Sequence, residues 1–226
     1  MTTMKFGIGQ AITRREDDRL LTGQGRFVDD LGEPGDLHLA FVRSPHAHAR
    51  VSGIDSAEAQ AAPGVVAVLT GGQLAADGFG SFALNPALKN AAGQKMSTPL
   101  LTPLAIDMAR FVGQPVAAVV AESRAAAEAA AALLVVDYEP LPAVASLEAA
   151  LANGAPQLWP EAPGNVAAVS QFGDAAACDA AFARAAHVAK VDVMNQRLAP
   201  VTIEPRGARA VDAGGRLTLQ ATSQNP

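Results

Sequence analysis

Residues 116–139 read VAAVVAESRAAAEAAAALLVVDYE, and the reading of this stretch decides the fold. Val116 to Ala121 is a strongly apolar run opened by Gly113-Gln114-Pro115, which predicts a strand. Ser123 then stands where an N-cap belongs, and the alanines from Arg124 to Leu133 favour helix and allow close packing on a sheet. Val135-Val136-Asp137-Tyr138-Glu139 predicts a returning strand, closed by Pro140 and Pro142. The apolar stretch Ala125 to Val136 is interrupted by Glu128 and is too short to cross a bilayer, so it reads as a buried amphipathic helix rather than a membrane span.

The same grammar occurs upstream. Leu37 to Arg43 alternates, with Leu37, Leu39 and Phe41 on one face and His38, Ala40 and Val42 on the other, predicting a half-buried strand. Ser56 is the expected N-cap of a two-turn helix over Ala57 to Ala62, stopped by Pro63-Gly64, and Val65 to Thr70 follows as a strand. Strand, helix, strand, stated twice, predicts a compact α+β unit. Gly71 to Gln94 lacks sustained periodicity and predicts a long surface loop. Residues 1–18 predict an extended arm, and Asp29-Asp30 beside Gly32 suits a turn.

Beyond Tyr138 the composition changes. Residues 141–164 carry Pro142, Pro156, Pro160 and Pro163 around a short helix at Ser146 to Ala152, the composition of an interdomain linker, with Trp159 expected to anchor it by burial. A second unit is expected over residues 165–226: a strand at Val166 to Gln171, a helix at Ala175 to Ala183 capped by Asp174, and strand-like runs at Val188 to Met194 and Arg209 to Thr222. The last run folds across Ala213-Gly214-Gly215, a hairpin signal. Between the two runs, Pro205 removes a backbone donor and Gly207 is free to take positive φ, so a bend displaying Glu204 and Arg206 is expected.

Half of the 226 residues are hydrophobic, enough for a sizeable core, and the 17 Lys and Arg against 22 Asp and Glu form no basic stripe, which argues against nucleic acid as a partner. The charged cluster Arg14 to Arg19 leaves no room for a signal-peptide core. One cysteine, Cys178, excludes an internal disulfide and any multi-cysteine zinc or iron-sulfur site in this chain, and predicts a reducing, cytoplasmic setting. No GxGxxG, GxxxxGK[ST] or GxSxG pattern occurs, so nucleotide binding and serine hydrolysis have no support.

Candidate site residues are few. His46 and His48 have metal-ligand spacing in an extended segment but no third ligand nearby, and are expected to be structural. Cys178 is expected to be a small buried hydrophobe on a helix face. Glu204 and Arg206 are expected to form a structural ion pair that sets the bend. Gln224, read from the residues alone, caps a strand end near the terminus.

Several separated segments carry a resemblance, in one order along the chain. Arg14-Arg15-Glu16-Asp17, Leu21-Thr22-Gly23-Gln24-Gly25-Arg26-Phe27-Val28-Asp29-Asp30, Phe41-Val42-Arg43-Ser44-Pro45-His46-Ala47-His48-Ala49, Phe111-Val112-Gly113-Gln114-Pro115-Val116 and Asn195 to Gly207, followed by Thr222-Ser223-Gln224-Asn225-Pro226, resemble the large, molybdenum-binding subunit of the xanthine dehydrogenase, aldehyde oxidase and carbon monoxide dehydrogenase family. The resemblance implies an α/β hammerhead domain over 19–140, reached by the arm 1–18 and followed through the linker 141–164 by the first strands and helix of a molybdopterin-binding domain at 165–226.

The resemblance further implies a molybdenum hydroxylase that inserts water-derived oxygen into a carbon centre of an aldehyde or an N-heterocycle such as a purine. Its molybdenum-molybdopterin cofactor would work with iron-sulfur clusters and FAD on partner subunits. It implies that Gln224 hydrogen-bonds an oxygen of the molybdenum centre or the substrate, a task suited to an uncharged amide with both a donor and an acceptor. It places Gln114 near the cofactor-bearing domain. The family's glycine-rich pterin segment and catalytic glutamate do not occur in these residues, so the expectation is a truncated product or split subunit that neither turns over nor holds the cofactor alone. The alternative is a non-catalytic hammerhead module that binds another subunit.

Overall fold

The computed structural model describes residues 13–82, 93, 96–99, 101–170, 172–196 and 198–223. In chain order the elements are α1 (Asp17–Leu21), a 3-10 turn at Val28–Leu31, β1 (His38–Arg43), β2 (Ala49–Asp55), α2 (Ala57–Ala61), β3 (Val65–Thr70), α3 (Gly71–Ala76), β4 (Met108–Ala109), β5 (Pro115–Ala121), α4 (Arg124–Ala131), β6 (Val135–Pro140), α5 (Leu147–Leu151), a 3-10 turn at Pro163–Asn165, α6 (Ala175–Arg184), β7 (Ala208–Ala213) and β8 (Arg216–Ala221). They fall into two compact units: residues 37–190, and residues 13–36 together with the described residues of 191–223.

In the larger unit the stretch 116–139 does what its pattern predicts. β5 is the middle strand of an antiparallel sheet ordered β1-β5-β3, with Ala40 opposite Val119 and Leu69 opposite Ala118. Central position explains its continuous apolar run, because both faces are covered and Val116 and Val119 are fully buried. The Ser123 hydroxyl caps α4 by accepting from the Ala126 amide at 3.2 Å. The buried α4 alanines 127 and 130 bring the helix close to the sheet, and Ala130 forms a core with Ala59, Val68, Ala117, Val119 and Leu134. β6 returns into a second antiparallel sheet, β4-β2-β6. The fold is mixed α and β with small sheets, as the sequence pattern requires.

Several local expectations are corrected. Ser56 makes no cap bond; Asp55 Oδ1 accepts from the Ala57 amide at 3.0 Å instead, while the Ser56 hydroxyl accepts from Gln60 Nε2 at 2.8 Å. The expected loop from Gly71 begins as α3, fixed by a capping box in which Thr70 Oγ1 accepts from the Gln73 amide and Gln73 Oε1 accepts from the Thr70 amide. Residues 83–92 and 94 of that loop lie outside the described residues. On β1 Val42 packs against the core, and Leu39 and Phe41 stay about half exposed. Described residues of 166–171 form no strand, and α6 buries no residue, leaving Cys178 exposed rather than buried.

In the smaller unit β7 and β8 pair antiparallel from Ala208 opposite Ala221 to Ala213 opposite Arg216. Gly214 and Gly215 both have positive φ, 63° and 84°, the conformation that a two-residue hairpin turn demands. Val188 to Met194 forms no strand, because alternation alone makes a strand only where a neighbour completes its hydrogen-bond ladder. Gly207 does not take positive φ; it is small because an added Cβ would lie 3.3 Å from the Val28 side chain.

Candidate functional site

Gly113 has φ of +87°, which turns the chain into β5, and its amide donates to the Ser44 carbonyl at 2.8 Å. The Ser44 amide donates in turn to the Gln114 carbonyl at 2.9 Å. These bonds hold Gln114 in the buried layer, 7% exposed, with its Oε1 accepting from the Arg110 amide at 2.7 Å. A buried amide side chain thereby satisfies a backbone donor that a loop would otherwise orphan.

Arg110, so fixed, reaches across to the proline-rich segment. Its Nε donates to the Leu158 carbonyl at 2.9 Å, and its guanidinium carbon lies 4.0 Å from the centre of the Trp159 indole. Burial lowers the Arg110 pKa, and the neighbouring Asp107 and Glu161 carboxylates pull it back up. Trp159 is half-buried, and the cation stacked on its face adds to that burial in anchoring it.

The histidines separate. His48 is 8% exposed, and its Nδ1 lies 2.7 Å from the Pro142 carbonyl, which accepts only, so that nitrogen carries a proton. His46 stacks at a tilt on Tyr138, 4.9 Å between ring centres. The Tyr138 hydroxyl is buried without a hydrogen bond of ordinary geometry. Burial raises its pKa, and the nearby Ser44 hydroxyl opposes that rise. Among the described residues no three His, Cys, Asp or Glu side chains stand where they could hold a metal.

Glu204 and Arg206 form no ion pair with each other; Glu204 Oε1 accepts from the Thr222 hydroxyl at 3.4 Å, closing the base of the β7–β8 hairpin. Gln224 lies outside the described residues. Arg110 was not legible as a site residue. Its only sequence signal is a lone arginine before Phe111-Val112-Gly113, and its partners Leu158 and Trp159 are 48 and 49 positions away.

The geometry coincides with a family boundary. Residues 22–142 match the family model described as the aldehyde oxidase and xanthine dehydrogenase a/b hammerhead domain, and residues 158–226 match the molybdopterin cofactor-binding domain. Arg110 lies in the first match and holds the first two residues of the second. Among curated proteins, the chain is 40% identical over 219 residues to the 6-hydroxypseudooxynicotine dehydrogenase complex subunit gamma of Paenarthrobacter nicotinovorans, covering 94% of this chain and 26% of that one. It is 40% identical over 224 residues to the nicotine 6-hydroxylase large subunit of the same organism, covering 97% and 26%. Among solved structures, quinoline 2-oxidoreductase from Pseudomonas putida 86 aligns with a TM-score of 0.56 at 48% identity, over 63% of this chain and 17% of that one. The chain thus spans about a quarter of the length of these curated relatives.

Proposed function

Because this chain belongs to the molybdenum hydroxylase family of aldehyde oxidases and xanthine dehydrogenases, we propose that residues 1–226 act as the amino-terminal portion of the large subunit of a molybdopterin-dependent hydroxylase. The observation that carries this reading is the order of the two matched domains along the chain, hammerhead at 22–142 and then cofactor-binding domain at 158–226. The substrate class we propose is an N-heterocycle. Nicotine and quinoline, named for two of the similar proteins, are ring compounds with a nitrogen that polarises the adjacent carbons.

Residues 158–226 match a molybdopterin cofactor-binding domain, and the described residues of 188–203 are exposed. We propose that Gln224 hydrogen-bonds an oxygen at the metal or substrate, and that residues 1–226 alone neither retain the cofactor nor turn over. Residues 1–18, 19–140, 141–164 and 165–226 are the proposed arm, hammerhead, linker and start of the cofactor domain. The proposed partners are the rest of the molybdopterin-binding region and iron-sulfur and FAD subunits, in the cytoplasm. No helix among the described residues is long and apolar enough to cross a membrane.

Co-expression with the remaining large-subunit region of a nicotine hydroxylase, followed by metal and pterin analysis of the purified complex, tests the proposal. Molybdenum and pterin present only in the complex, with a hydroxylated N-heterocycle as product, is the expected result. A stable complex lacking both would overturn it and leave a subunit-binding module.

A further inference from the structure

We propose that Arg110 is a positioning latch that sets the path by which the chain passes from the hammerhead into the cofactor-binding domain. The inference takes only the identity of the two matched domains from the functional reading, and its argument is local geometry.

The segment after α5 is a self-bonded strap. Asn165, in left-handed conformation at φ of 59°, donates through Nδ2 to the Ala150 and Pro156 carbonyls, each at 3.0 Å, and accepts from the Leu158 amide at 3.0 Å. Gln157 Nε2 donates to the carbonyls of Trp159 at 3.0 Å and Ala162 at 2.6 Å, while its Oε1 accepts from the Gly164 amide at 3.1 Å. Two side chains thus gather the backbone of residues 150–164 into one piece. Such a piece keeps its shape when an outside contact is removed, but it can then change its direction.

Its direction is set at the two ends of residues 141–159 and, just beyond, by Ser97, whose hydroxyl donates to the Glu161 carbonyl and whose amide donates to the Ala167 carbonyl at 2.8 Å. At the first end the Leu141 amide donates to the His48 carbonyl at 2.9 Å and His48 bonds the Pro142 carbonyl, so β6 runs into the segment under a fixed angle. At the far end Arg110 bonds the Leu158 carbonyl and stacks on Trp159. Leu158 has its amide taken by Asn165 and its carbonyl by Arg110, so the internal network and the external latch meet at one residue. Arg110 in turn has its own amide locked by buried Gln114. The chain of contacts runs from β5 through Gln114 and Arg110 to Leu158. A guanidinium suits this position because its plane stacks on the indole while an edge N–H still points at a carbonyl, a combination an ammonium cannot reproduce.

The test uses the full chain and its sole tryptophan, Trp159, as reporter. Acrylamide quenching and near-ultraviolet circular dichroism of R110A should show a several-fold rise in quenching and loss of the tryptophan band, with far-ultraviolet dichroism retained. R110K, which keeps the charge but not the stacked plane, should restore only part of both signals. Wild-type quenching and dichroism in folded R110A would overturn the proposal. If R110A fails to fold, R110K decides it: an intermediate signal supports the latch, and either a wild-type signal or global unfolding refutes it. These readouts need no cofactor, so their failure is distinguishable from failure of the molybdenum reading.

Discussion

Arg209 and Asp36 stand 173 positions apart in the chain and meet fork to fork: Nε donates to Oδ2 at 2.7 Å and Nη2 to Oδ1 at 3.0 Å. Glu33 adds a third contact at 3.6 Å to the same guanidinium. The Arg209 side chain is 18% exposed, and its hydrogen bond to Asp36 raises its pKa. The pair ties residues 33–36 to β7, beside the close approach of Gly207 to Val28. R209A should therefore free the segment 13–36, and trypsin should cut faster at Arg14, Arg15, Arg19 and Arg26. R209K, which keeps the charge and loses the fork, should fall between. Cleavage at the wild-type rate in R209A would show that the pair does not hold this segment.

Gly71 opens α3 directly beneath the loop at Leu104 and Ala105. A Cβ added there would lie 2.3 Å from the Ala105 carbonyl oxygen and 2.9 Å from that of Leu104. Both obstacles are backbone, so neither can swing aside. G71A should destabilise the larger unit by about 1–3 kcal/mol, outweighing the gain of about 1 kcal/mol that alanine brings to a helix. Urea denaturation reads the outcome, and an unchanged or higher midpoint would mean that the loop yields without cost.

Gln114 has its carbonyl and its side chain both engaged, and it is the Oε1 bond to the Arg110 amide that a substitution removes. Q114L conserves volume but leaves that donor unpaired in a buried layer. The expected loss is about 1–3 kcal/mol, read as a lower denaturation midpoint. Looser Trp159, seen as increased quenching, should accompany it, because Arg110 is positioned through Gln114.

Tyr138 is the only tyrosine, so its ionisation is visible without interference from another. Burial raises its pKa, and the Ser44 hydroxyl partly counters that effect. Tyrosinate absorbance in the folded chain should therefore appear above the ordinary phenol value of about 10. The sign for stability follows. Below the unfolded pKa the phenol is neutral in both states, so this group's contribution is complete. As pH climbs toward the folded pKa the unfolded chain ionises first and stability falls. A titration midpoint at or below the ordinary value would contradict the burial.

Much of the architecture was legible because it is written in local spacing. The β5-α4-β6 run needs only an apolar strand, a serine cap and an alanine-rich helix; α5 and α6 likewise begin at Ser146 and Asp174, whose side chains accept from Ala149 and Ala177. The Gly214-Gly215 turn is equally local, since two successive positive φ values leave little choice of residue. The capping box Thr70-Gly71-Gly72-Gln73 was present in the chain too, but the glycines around it read as loop.

The sequence by itself determined the β5-α4-β6 run, the helix caps and the Gly214-Gly215 turn, whose signals lie within a few neighbouring residues, and its motif order determined the family. Tertiary structure alone decided what those elements do to one another. It paired Arg209 with Asp36, seated Arg110 on Trp159, left Val188 to Met194 without a partner strand and kept Cys178 at the surface. The physical reason is one of range. Caps, turns and periodicity act over a few residues, whereas burial, ion pairing and strand pairing depend on which distant segment arrives, and nothing in the local pattern of either partner records that meeting.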